Sequence, residues 1–87
     1  MDRIESMTKT YATDVAYHAA RIQKWSAFAD AATTEYEKRF AYQLITLAVE
    51  QLRDTHRRAK NKLNGKMIRT YLARVEALQP TALIYLS

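Results

Sequence analysis

One glycine and one proline stand in 87 residues, at Gly65 and Pro80, so the chain has almost no residues that stop a helix. Averages near 7% and 5% would give several of each. Tight turns and strand corners lean on those two residues, so their scarcity predicts a few long helices joined by few turns. Eighty-seven residues make one domain, burying little more than about 60% of its unfolded surface.

The apolar spacing agrees. Ile4, Met7, Tyr11, Val15, His18 with Ala19, Ile22, Trp25 and Ala29 recur every three or four residues, which is one stripe of a helix. Alanines at 12, 16, 19, 20, 27, 29, 31 and 32 favour the helix and let a neighbour approach closely. The same spacing suits a coiled-coil seam, but a seam wants larger repeats than alanine, so packing within the chain is the preferred reading. A break falls between Asp30 and Thr34. Thr34 followed by Glu37 then reads as a capping box, each side chain accepting an otherwise orphaned backbone N–H.

A central helix should start there. Its front half, Phe40 to Val49, is apolar nearly all round and is expected to be buried on several sides. Ala41, Ile45, Ala48, Leu52, Ala59 and Leu63 continue as one stripe, while Arg53, Arg57, Arg58, Lys60 and Lys62 lie off it. Phe, Tyr, Ile, Thr and Val in the front half also suit a strand; the register held through to Leu63 decides for helix. Gly65 is read as a left-handed C-terminal cap, with Lys60 and Lys62 in the last turn opposing the dipole. A third helix follows, with Met67, Ile68, Tyr71, Leu72, Val75 and Leu78 as its apolar face, and Pro80 stops it. The expected fold is all-α, with helices over about 3–30, 34–63 and 66–79. The first two form a long antiparallel hairpin with the third packed across it, and an apolar C-terminal segment, 81–87, follows. A long middle helix between two others, with His56-Arg57-Arg58-Ala59-Lys60 near its end, resembles the histone fold in outline; the long first helix departs from that fold.

Function is legible only in the charge. Between Arg53 and Arg74 there are eight basic residues against the single acid Asp54, or +7, while the rest of the chain has six bases and eight acids, or −2. Such a local field attracts polyanions. Arg53, Arg57 and Lys60 fall within about 60° on the helix, Arg58 and Lys62 form a second row, and Lys66 and Arg69 continue past the turn. These seven are the expected nucleic-acid-binding residues, DNA or RNA, acting on phosphates without sequence preference. The bland alternative is a solvated face whose arginine stems cover apolar surface, although ordinary surfaces mix the two signs. Helix, Asn64-Gly65 and helix also read as a helix-turn-helix, but the cations cluster before the turn and not at the start of the third helix.

No catalytic residue is expected. His18 and His56 are 38 positions apart, there is no cysteine, and a single glycine makes no phosphate-cradling loop. Each histidine is read as a hydrogen-bonded residue at the edge of the core. Neither metal nor cofactor is expected, and the protein is read as not an enzyme. A second class of function is a small protein-binding subunit or inhibitor that docks on an acidic surface of a larger complex. Attachment to an anionic membrane is a third, disfavoured because no apolar face backs the cations.

The longest apolar run is about half of what a membrane span needs, and the N-terminus lacks the pattern of a signal peptide. With no cysteine, a soluble protein of the reducing cytoplasm is expected. Leu83, Ile84, Tyr85 and Leu86 carry too much apolar surface to leave in water. They are expected to cross to a second copy and make a homodimer, the other possibility being that they seal their own core.

Overall fold

The computed structural model describes residues 3–86, apart from the side chain of Ile4, so that first position of the apolar stripe and Ser87 lie outside the described residues. Three α-helices and a short 3-10 helix follow in order: α1 (Arg3–Ala31), α2 (Glu35–Lys62), α3 (Gly65–Leu78) and η1 (Pro80–Tyr85). The fold is all-α, without a strand among the described residues. α1 packs against α2 and α3, and η1 packs onto all three. The molecule is elongated, 49 × 22 × 21 Å, because α1 and α2 form a hairpin of near-equal helices, 29 and 28 residues long. A first helix as long as the second sets the arrangement apart from the histone outline.

Small residues hold the hairpin together. Ala12, Ala19, Ala41, Ala48 and Ala59 are all fully buried, and their missing side-chain volume lets the packed helices approach, α3 as well as the hairpin pair, since Ala12 borders Arg74 and Leu78. Val15, Ile22, Leu52 and Leu63 fill the spaces between them. α3 brings Tyr71, the largest fully buried side chain, and Val75. Fourteen residues make α3 about 21 Å long, half the length of the hairpin it packs on. Its cover is continued by η1, whose Thr81 hydroxyl accepts a hydrogen bond from Gln23 Nε2 at 2.9 Å, beside one from Gln79 Nε2 to Gln23 Oε1 at 3.0 Å.

Past Gln23 the hairpin has only two helices, which changes the reading of its front half. Phe40, Tyr42 and Leu47, expected inside, are 44%, 58% and 42% exposed, since no third element reaches them. Leu78, expected on the apolar face of α3, is also exposed, because it sits in the last turn beside a shallow groove against Lys9, Ala12 and Thr13 of α1.

The helix ends follow their capping chemistry. Thr34 Oγ1 accepts the Glu37 backbone N–H at 3.1 Å. The other half of the capping box is replaced: the Thr34 hydroxyl donates to Glu37 Oε1 at 2.8 Å, so the carboxylate takes a hydroxyl instead of a backbone N–H. Gly65 is not a left-handed cap. Leu63 ends α2 in an extended conformation, and Asn64 caps the start of α3 by accepting the Met67 N–H on Oδ1 at 3.0 Å. Asparagine is among the best N-caps, and a cap that starts the next helix leaves no residue for a left-handed turn. Gly65 has no positive φ and is simply the first residue of α3.

Candidate nucleic-acid interface

The seven expected cations do not form one surface. Arg53, Arg57 and Lys60 line a groove of about 240 Å³ together with His56, Asn61, Tyr85 and Leu86. The helical period set the first three on one edge of α2, and the return of η1 supplies the opposite wall. Arg58 lies on the other flank of the helix, in a separate groove with His18, Glu50, Gln51, Asp54 and Thr55. Lys62 is four residues further along that flank. Lys66 and Arg69 are exposed in the first turns of α3, at the same end of the molecule.

The single acid of this region is spent on two of the arginines. Asp54 Oδ1 receives Arg57 Nη2, and its Oδ2 receives Arg58 Nε at 3.2 Å. Arg58 Nη2 also donates to Thr55 Oγ1 at 3.3 Å. Arg74 reaches across to Glu5 Oε1 at 3.2 Å and belongs to the α1–α3 contact. Arg53 and Lys60 have no ion pair among the described residues, so they and Arg57, whose side chain is 73% exposed, are the cations offered to solvent in the groove. Exposed pairs such as Arg57 with Asp54 contribute under about 1 kcal/mol and are easily exchanged for a phosphate.

His56 forms the floor. Its ring stacks on that of Tyr71 at 5.7 Å between centroids and 22° between planes, with Nδ1 at 2.9 Å from the Tyr71 hydroxyl. Burial raises the Tyr71 phenol far above its ordinary range, so the hydroxyl stays protonated and donates to Nδ1 when the imidazole carries its proton on Nε2. Burial, then the Lys60 ammonium, lowers His56 below 6.5. His18 is lowered too, by burial first and by Arg21, whose Nη1 is 3.1 Å from His18 Nδ1. Both imidazoles are half-buried at the core edge. Folding that disfavours the charged form of two histidines makes stability depend on pH with a definite sign. Below 6.5 the unfolded chain takes up protons that the folded one resists, so stability falls as pH drops through that value. The melting temperature should be lower at about pH 5.5 than at about pH 7.5; an equal or higher value would contradict these environments.

Tyr85, Leu86, Asn61 and His56 were not marked in the sequence as neighbours of the cations. Asn61 and His56 share the helix with them and were within reach of the same angular argument. Tyr85 was not, since the path of the chain after Pro80 follows from tertiary packing. The four C-terminal residues expected at a dimer contact divide differently: Tyr85 and Leu86 pack on their own chain's core, while Leu83 and Ile84 are 37% and 71% exposed. Ala82, fully buried, anchors the segment. Among the described residues no group of three or more acidic or histidine side chains could hold a metal ion. No helix among them is long and apolar enough to cross a membrane. No protein-family model, curated protein or solved structure matches the chain.

Proposed function

We propose that the chain is a non-catalytic nucleic-acid-binding protein that grips phosphates through Arg53, Arg57 and Lys60, with Lys66 and Arg69 extending the contact past the turn. The observation that supports this reading is the convergence of three solvent-facing cations with Tyr85 in one groove. At about 240 Å³ the groove is smaller than the roughly 300–1,000 Å³ of small-molecule pockets. Each phosphate neutralised there releases counterions and adds affinity without regard to sequence. Tyr85 adds a ring on which a base can stack, for about 1–3 kcal/mol, which favours a single strand. A cytoplasmic location rests on the cysteine-free composition alone.

A second reading, a subunit or inhibitor docked on an acidic protein surface, has one observation behind it. Leu83 and Ile84 are exposed in the segment whose Tyr85 and Leu86 wall the groove, an apolar surface that suits a protein partner more than a phosphate backbone. Binding to labelled duplex DNA, single-stranded DNA and RNA across about 50–200 mM salt separates the two. Three phosphate contacts on duplex should cost on the order of 40-fold in affinity over that range, the logarithms falling on a straight line. No binding to any of the three at about 50 mM would overturn the nucleic-acid reading.

A further inference from the structure

The hairpin has a long face that neither α3 nor η1 touches. On α2, Tyr36, Phe40, Leu44 and Leu47 fall within about 80° of one another, one stripe on the flank away from Arg53 and Lys60. On α1, Trp25 meets Phe40 edge to face at 5.9 Å and Phe28 at 5.6 Å, so the two helices share one aromatic cluster. Its members are far from buried: Phe28 is 40%, Tyr36 79%, Phe40 44% and Leu47 42% exposed. We propose that this face is the contact for a second copy of the chain, which lays the same surface against it, antiparallel, and completes a four-helix bundle.

Charge and area select that occupant. Residues 22–48 contain Lys24, Lys38 and Arg39 against Asp30, Glu35 and Glu37, so this end is neutral, while the +7 lies at the other. An acidic partner or a phosphate backbone is drawn to the basic end and gains nothing here. A copy of a protein with net charge +5 is tolerated only where the two basic ends stay apart. Antiparallel pairing of the neutral ends sends them in opposite directions on a molecule 49 Å long, well beyond a Debye length of about 10 Å at 0.1 M salt. The four exposed side chains present on the order of 350 Å² of surface, taking roughly 150–250 Å² for a whole aromatic. A standard interface buries about 800 Å² a side, of which some 56–65% is apolar. Most of the apolar share is therefore already in place, and Trp25 and Leu44 add to it. Two-fold pairing is the commonest symmetry, and it lets one stripe serve both partners. Two hairpins side by side are also the standard way for four amphipathic helices to share one core.

Light scattering on the full chain from about 1 to 500 μM reads the association directly. The mass should climb from 10.1 kDa towards twice that value. Tyr36→Glu and Phe40→Glu should each raise the dimer dissociation constant by about tenfold or more with unchanged helical circular dichroism. Tyr36 is the safer probe, since it lies in the first turn of α2, where a new carboxylate suits the dipole and disturbs no packing. Ile84→Glu should leave the mass curve unchanged. A mass of 10.1 kDa throughout would overturn the proposal, as would a dimer indifferent to both stripe variants or one abolished by Ile84→Glu.

Discussion

Tyr71→Ala should cost this domain about 3–5 kcal/mol of stability, while Tyr71→Phe should cost only about 1 kcal/mol. Tyr71 is fully buried and is the largest such side chain in the protein, bridging α3 to α2 through the face of His56. Removing a buried aromatic ring costs about 3–5 kcal/mol, part for forfeited transfer from water and part for the cavity. A chain of 87 residues has in all about 4–13 kcal/mol to lose. The phenylalanine variant keeps the ring and gives up only the bond to His56 Nδ1, worth about 0.5–1.5 kcal/mol, since the half-buried imidazole can turn to water. Urea unfolding followed by circular dichroism measures both; equal losses in the two variants would mean that the hydroxyl, not the ring, holds α3 in place.

The second large effect comes from adding atoms. Ala19→Leu should lower the melting temperature by roughly 5–20 °C and Ala20→Leu should hardly move it, though the two residues are neighbours. Ala19 is fully buried in the core that α1 shares with α2 and α3, where three extra carbons have no space without pushing the helices apart. Overpacking of that kind costs about 1–3 kcal/mol, and in a domain this small each kcal/mol shifts the midpoint by about 4–8 °C. Ala20 is exposed and a leucine there meets only solvent. Equal shifts at the two positions would mean that the alanines reflect helix propensity and not close approach.

That core was readable from the sequence because the helical period acts on every residue of a helix. Of the stripe Ala41, Ile45, Ala48, Leu52, Ala59 and Leu63, set by spacing alone, all are buried except Ile45, which is half-buried. The same rule grouped Arg53, Arg57 and Lys60, and separated them from Arg58 and Lys62. It cannot say whether a stripe has a neighbour. Phe40 and Leu47 were expected inside because their segment is apolar all round, yet burial depends on how far α3 reaches, and α3 is half as long as the hairpin. The short third helix was itself visible in the sequence, and its length against that of the first two was the signal to weigh. Asn64-Gly65 was ambiguous for another reason. The pair fits a glycine C-cap and an asparagine N-cap equally; in the structure Asn64 takes the N-cap of α3, which leaves Gly65 as its first residue. Tyr85 was expected at a dimer contact or sealing its own core, but not beside the cations, since nothing local to Thr81-Ala82-Leu83 states that the chain turns back towards His56.

The central claim is that one edge of α2 carries the phosphate contacts, and the salt slope of two variants tests it. One replaces Arg53, Arg57 and Lys60 by Gln; the other replaces Arg58 and Lys62. Both should fold, since exposed charges contribute little to stability. The first should bind more weakly to every sequence and flatten the dependence of log K on log salt by about three units or fewer, close to one for each phosphate no longer neutralised. The second should keep the slope of the unmodified chain. An unchanged slope in the first variant, or an equal flattening in the second, would contradict the claim.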